Sequence, residues 1–211
     1  MAILYSFRRC PYAMRARMAL HVSGLDYEHR EVLLRDKPAS MLAASPKGTV
    51  PVFIKDNGEV IEESLDLAVW ALKQNDPLNW LEGYDAALTG RNDGPFKHHL
   101  DRYKYASRYD DTAARGAVDL SHRAKAEDIL RDLNQRLEST SYLSDETQSL
   151  TDIAIFPFIR QFAAVERDWW SEAPFPALRA WLEMHINSDL FKAVMIKHSL
   201  WEDEEGETEK S

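Results

Sequence analysis

The stretch Ile3-Leu4-Tyr5-Ser6-Phe7-Arg8-Arg9-Cys10-Pro11-Tyr12-Ala13-Met14 decides the fold. Its first five residues are a strand-like run, and Cys10 stands where that run meets Pro11 and a helical pattern. Proline suits the first position of a helix because the N–H it lacks is one the helix leaves unpaired. Met14, Met18 and Val22 then recur at helical spacing, and Gly24 is a natural C-terminal stop. The chain's only cysteine therefore falls at a helix N-terminus. Unpaired N–H groups and the positive end of the helix dipole stabilise a thiolate there, and nearby cations lower its pKa further. Arg8 and Arg9 precede Cys10, and Arg15 and Arg17 follow within two turns. The competing reading is a small residue that merely packs, since free cysteine is often buried. That no other cysteine occurs favours the reactive thiol.

Outward from this junction the chain alternates strand and helix. Tyr27 to Leu34 predicts a second strand, followed by a loop with Lys37-Pro38 and a short helix over 39–44. Thr49-Val50-Pro51-Val52-Phe53-Ile54 predicts a third strand, Asp56-Asn57-Gly58 a tight turn, and Val60-Ile61 its antiparallel partner. Ser64 is placed to cap the next helix, whose apolar face is Leu65, Ala68, Val69 and Leu72. The order β-α-β, short helix, β-β-α is thioredoxin-like. Asp76-Pro77, Gly83, Gly90 and Asn92-Asp93-Gly94-Pro95 form a cluster of breakers, read as a linker and approach to a second domain over 76–95. Beyond it the pattern is helical: 96–109, 117–137, 151–165, 176–186 and 190–197. The expected organisation is an α/β thioredoxin-like domain with a mixed sheet over 1–75, an all-α bundle over 96–200, and an acidic, disordered tail over 201–211 that includes Glu202-Asp203-Glu204-Glu205-Gly206-Glu207.

Composition narrows the function. One cysteine allows no disulfide within the chain and suits a reducing compartment. The start carries no basic segment followed by a long apolar run, so a cytoplasmic location is expected. Charged residues make up 29% of the chain and nothing approaches a spanning apolar stretch. A net charge of −9 opposes a general nucleic-acid or anionic-membrane role.

Four local features, in order, resemble the cytosolic glutathione S-transferase superfamily, and within it the cysteine-type members such as the omega class and glutaredoxin-2-like proteins. Cys10-Pro11-Tyr12-Ala13 is similar to the family's active-site start, and Lys37-Pro38 falls where its lysine reaches the glycine carboxylate of glutathione. Thr49-Val50-Pro51 resembles the loop whose proline is cis, and Glu63-Ser64 the pair that holds the γ-glutamyl end. The resemblance implies glutathione as co-substrate, no metal, and a homodimer. It implies Cys10 as catalytic residue, and Pro11, Tyr12, Lys37, Val50, Pro51, Glu63 and Ser64 as glutathione-binding residues. Arg102 and Tyr103, in a basic-aromatic stretch, correspond to the border of the co-substrate pocket.

Elementary chemistry agrees at each position. A cis proline lets the Val50 N–H and C=O pair with an extended peptide, whereas an ordinary trans proline at a strand edge is the alternative. Ser64 has a second role as an N-cap, compatible with binding a carboxylate. Tyr5 stands where tyrosine-type relatives keep their activating phenol, with Ser6 a weaker competitor. Ser149 and Asp152 form a capping-box start, a folding device. His98 and His99, being adjacent, are expected on different helix faces and not as metal ligands. Trp169, Trp170 and Trp181 are read as packing residues. Ala13 stands where a dithiol motif has its second cysteine, so exchange must be monothiol. The expected reaction is reduction of glutathione mixed disulfides by Cys10. Conjugation of glutathione to electrophiles and a non-catalytic glutathione-binding module are the alternatives.

Overall fold

A computed structural model of the chain describes residues 1–203, which divide into two compact units. The first comprises Met1–Asn79 and the segment from Asp189 onward, and the second Trp80–Ser188.

In the first unit the elements run β1 (Ile3–Ser6), α1 (Pro11–Ser23), β2 (Glu28–Glu31), α2 (Ala39–Ala44), β3 (Val52–Ile54), β4 (Val60–Ile61) and α3 (Ser64–Gln74). The sheet order is β2-β1-β3-β4. β1 pairs parallel with β2, Tyr5 opposite Arg30, and antiparallel with β3, Tyr5 opposite Val52. Alternation along β1 sends Leu4 into a cluster with Ala16, Leu20, Phe53, Leu67 and Ala71, and Tyr5 into another with Ala13, Val32, Met41, Val50 and Val52. Gly24 ends α1 at φ 66°, and Gly58 turns the β3–β4 hairpin at φ 84°, conformations only glycine adopts at little cost.

The second unit carries α4 (Ala86–Arg91), α5 (Lys97–Lys104), α6 (Leu120–Leu137), α7 (Leu150–Ala163), α8 (Arg167–Glu172) and α9 (Pro176–Asn187). The capping box is present: Ser149 Oγ accepts from Thr151 N–H at 3.2 Å, and Asp152 Oδ2 accepts from Ser149 N–H at 3.0 Å. Asp152 Oδ1 also accepts from Leu143 N–H at 2.9 Å and from the Trp181 indole at 3.0 Å. This fully buried carboxylate ties three segments together.

Three expectations need correction. The breakers of 76–95 make an irregular segment only as far as Asp85, and the remainder is helical. Asp85 caps α4 by accepting from Leu88 N–H at 2.8 Å, and Asn92–Phe96 continues as a π-helical turn into α5. Burial of Trp80, Asn92 and Phe96 outweighs the local preference of Gly94 and Pro95. The second strand is shorter than expected, because Val32 to Leu34 leave the ladder beyond Glu31. Finally, the chain returns to the first unit after Ser188: α10 (Asp189–Val194) packs on α1, and Trp201–Asp203 dock instead of trailing away. Trp201 N–H donates to Glu31 C=O at 2.8 Å, and the Arg30 guanidinium lies 3.8 Å from the centre of the Trp201 ring. Residues 204–211, the rest of the expected tail, lie outside the described residues. None of the described helices is long and apolar enough to cross a membrane.

Candidate functional site

Cys10 is the N-cap of α1, with Pro11 at the first helical position. Its side chain makes no capping bond to the helix. Cys10 N–H donates to Phe7 C=O at 3.0 Å, closing a tight turn over Phe7–Cys10, and Sγ lies 3.8 Å from the Val50 carbonyl oxygen. The turn is held from below by Arg17, 2% exposed. Its guanidinium donates to Ser6 Oγ, to Arg8 C=O at 2.7 Å, to Phe7 C=O at 3.4 Å and to Val194 C=O at 3.1 Å. Burial lowers the Arg17 pKa, while attraction to Glu31, Tyr27 and Cys10 works in the opposite sense. Arg17, expected only as a nearby cation, is thus the clamp that fixes the cysteine turn and the end of α10.

A cavity of about 290 Å³ adjoins the carbonyl that Cys10 faces. Tyr12, Lys47, Thr49, Val50, Pro51, Glu62, Glu63 and Ser64 line it. The Val50–Pro51 peptide is cis. Glu63, and not Ser64, is the N-cap of α3. Ser64, buried at the first helical position, instead accepts from Arg15 Nε at 3.0 Å. Glu63 pairs with Lys47. Lys37 does not line this cavity; its Nζ lies beside Gly48. The sequence reading missed Lys47, whose only signal was its position four residues before Pro51.

The other candidate hydroxyls are committed elsewhere. Tyr5, 1% exposed, donates from Oη to Ser40 Oγ at 2.8 Å and accepts from Arg30 Nη1 at 2.7 Å. Ser6 is fully buried under Arg17. Ser40 in turn bonds Asp203, whose carboxylate accepts from Ser40 N–H at 3.1 Å at the start of α2. Burial alone would raise the Asp203 pKa, but these Ser40 bonds bring it below the ordinary carboxylate value.

A larger cavity, about 800 Å³, is lined by Phe7, Arg8, Arg9, Glu31, Leu33 and Lys197 to Leu200, with Glu202. Glu31 is already satisfied: it accepts from Arg8 N–H at 2.7 Å and meets His29 at 3.1 Å. Burial would raise its pKa, yet His29 and the Arg8 N–H hold it below the ordinary value. Among the described residues, no carboxylate pairs with the side chains of Arg8, Arg9 or Lys197.

In the second unit, Tyr103 is not available to a co-substrate. It is fully buried, packs against Phe162 at 5.0 Å between ring centres, and donates to Glu166 at 2.7 Å. Burial first, and Glu166 second, raise its pKa. The apolar face of α5 carries it inward, which the basic-aromatic composition of the stretch concealed. Arg102 sits 3.0 Å from His98 Nδ1 and stacks on Tyr109 at 4.3 Å. His98 and His99, expected on different helix faces, are joined by His122 of α6, and the three bring their ligand atoms within 4.8 Å of one another. The group is bonded within itself and to a cation: His99 Nδ1 and His122 Nδ1 lie 2.8 Å apart, and Arg102 Nη1 lies 3.0 Å from His98 Nδ1. Trp170 and Trp181 are buried, as packing residues should be.

Comparisons with known proteins bear on both units. Residues 4–80 match the family described as glutathione S-transferase, N-terminal domain, and residues 79–183 that described as glutathione S-transferase, C-terminal domain. Glutathione S-transferase U19 of Arabidopsis thaliana is 29% identical over 189 residues, covering 86% of this chain and 83% of the relative. Glutathione S-transferase omega-1 of Sus scrofa is 21% identical over 212 residues, covering 92% and 80%. A solved glutathione S-transferase from Methylobacillus flagellatus with GSH bound has the same fold, with a TM-score of 0.73 at 22% identity over 92% of this chain and 98% of that one. With two adjoining domain matches that together span residues 4–183, the chain belongs to the glutathione S-transferase family.

Proposed function

We propose that this protein is a cysteine-type, omega-like thiol transferase that reduces mixed disulfides of glutathione through Cys10. The observation that carries the reading is the position of Cys10: the chain's sole cysteine stands at the N-cap position of α1 and its sulfur lies 3.8 Å from the carbonyl of Val50, which lines the smaller cavity with Pro51, Glu63 and Ser64. In this reading Val50 pairs with the cysteinyl part of glutathione next to Pro51. Glu63 and Ser64 take the γ-glutamyl end, Lys37 the glycine carboxylate, and Pro11 and Tyr12 border the sulfur. The Cys10 thiolate attacks the glutathione sulfur of the disulfide, the S–S bond breaks, and the electron pair leaves on the co-substrate sulfur. The Cys10–glutathione disulfide is then attacked by a second glutathione thiolate, which releases oxidised glutathione and restores Cys10. Exchange is fastest when the attacking thiol is ionised and still nucleophilic.

Conjugation is the second reading, since the relatives include transferases outside the omega group. A hydroxyl that activates glutathione for conjugation must be free to meet its sulfur. Tyr5 and Ser6 are both buried and already bonded, which favours Cys10. A homodimer in the cytoplasm is the expected setting. Intact-mass measurement after incubation with a glutathione mixed disulfide tests the reading. One glutathione should add to the wild type and none to Cys10→Ser, and disulfide turnover should vanish in that variant. Wild-type turnover in Cys10→Ser would refute it.

A further inference from the structure

We propose that the 800 Å³ cavity beside the cysteine turn selects the co-substrate half of the mixed disulfide, and that this half is an anionic, carboxylate-bearing thiol held by Arg8, Arg9 and Lys197. The inference rests on the Cys10 reading, and it goes beyond it by naming the chemistry of the other partner.

In a chain of net charge −9 this cavity collects three cationic side chains, Arg8, Arg9 and Lys197, that pair with no carboxylate among the described residues. Of its two lining carboxylates, Glu31 is spent on the Arg8 N–H and His29, and Glu202 lies exposed beyond the docked Leu200. Arg9 lies 5.7 Å from the Phe7 ring centre, a contact that leaves its N–H groups to donate. Paired guanidinium groups suit carboxylates because their donors form a planar fork. Lys197 adds a third positive charge from a segment nearly two hundred residues away in sequence, so the cluster is built by the fold and is not one basic run. That segment is held in place by Arg17 on Val194 C=O and by Trp201 N–H on Glu31 C=O.

The position of these cations points the same way. Phe7, Arg8 and Arg9 line the large cavity, and Cys10 is the next residue, closing the same turn. Its sulfur is directed to Val50, which lines the smaller cavity. The two cavities therefore adjoin the reacting residue through different groups, one with the polar set for glutathione and one with cations that pair with no carboxylate among the described residues. When the disulfide breaks, the co-substrate departs as a thiolate carrying its own carboxylates, and that sulfur gains a full negative charge. Fixed cations stabilise this developing charge more than the neutral disulfide sulfur it came from. The proton that later converts the thiolate to a thiol comes from solvent.

Three probe disulfides test the proposal: glutathione joined to mercaptosuccinate, to 2-mercaptoethanol and to cysteamine. Each enzymatic kcat/KM is divided by the uncatalysed rate with free glutathione, which removes differences in intrinsic reactivity. At low salt the normalised value for mercaptosuccinate should exceed that for mercaptoethanol by about tenfold, the scale of a few surface charge contacts, with cysteamine lowest. High salt should shrink the ratio, and Arg9→Gln and Lys197→Gln should each reduce it severalfold. Turnover of all three disulfides without a charge preference, or a ratio untouched by both variants, would overturn the proposal while leaving Cys10 chemistry intact. Should no disulfide turn over and no adduct form on Cys10, the reading of the function falls and alkylation decides the cavity. Iodoacetate and iodoacetamide differ in charge but deliver groups of similar size to sulfur. Their rate ratio at Cys10 should exceed that at free glutathione and fall in Lys197→Gln; equal ratios would overturn the proposal.

Discussion

Replacing Asp152 by alanine should destabilise the helical unit far more than a surface substitution. The carboxylate is fully buried and accepts from three N–H groups, those of Leu143, Ser149 and the Trp181 indole, as well as from the Ser149 hydroxyl at 3.4 Å. Alanine orphans all three, and each unsatisfied buried donor costs about 1–3 kcal/mol. Removing the carboxylate also removes its own desolvation cost, so the expected net loss is about 3–5 kcal/mol, the range for breaking a buried charged network. Asparagine separates the contributions. Its side-chain oxygen still serves Leu143 and Trp181, while its amide nitrogen faces the Ser149 N–H, donor against donor, for an expected loss of about 1–3 kcal/mol. Urea unfolding followed by tryptophan fluorescence is the assay, because Trp80, Trp169, Trp170 and Trp181 report on this unit. With a slope of about 2 kcal/mol per molar urea, the Asp152→Ala midpoint should fall by about 2 M. A shift under about 0.5 M in Asp152→Ala, or a larger loss in Asp152→Asn than in Asp152→Ala, would refute the reasoning.

Further outcomes are expected. Glu63→Ala and Ser64→Ala should raise the KM for glutathione more than they lower kcat, because remote binding groups act on ground and transition states alike; steady-state kinetics with unchanged KM in both would remove these residues from the site. His185 is buried with an unpartnered Nε2, and burial holds its pKa at about 4, below the ordinary 6.5. The unfolded chain therefore binds the extra proton first as pH falls from 6.5 to 4, and stability drops by about 3 kcal/mol across that window. His185→Gln should lack this part of the slope in pH-dependent urea titrations, and an identical slope in both proteins would contradict it. Light scattering should find a homodimer at micromolar concentration, and a monomer throughout would defeat that expectation.

The thioredoxin-like order was legible because its signals are local. The period changes from strand to helix at Pro11, Gly24 and Gly58 sit where positive φ is needed, and Ser149 and Asp152 are three residues apart on one cap. The cysteine at the first strand-to-helix junction was legible for the same reason. What escaped notice depends on partners distant in sequence. Nothing near Arg17 announces Val194, 177 residues later, and no local pattern marks Trp201 as the platform for Arg30. Tyr103 was misjudged because a stretch rich in arginine and tyrosine looks exposed, whereas the helix turns this one ring into the core. The three histidines met only because α5 packs on α6, which composition does not reveal. Asn92 to Pro95 looked like a loop because breaker residues carry a strong local prior, which the buried side chains around them overrode.

The return of the chain to its first unit has a consequence for how the protein is made. On the ribosome, Met1–Asn79 emerges with its strands and helices in hand, yet Arg17 has no Val194 carbonyl to receive one of its N–H groups, and α2 has no Asp203 at its start. Until the last segment is released, a buried guanidinium and the floor of the cysteine turn are unfinished. Synthesis itself thus withholds the final setting of the Cys10 thiol. An isolated piece ending at Asn79 would preserve the nascent state and not the working one.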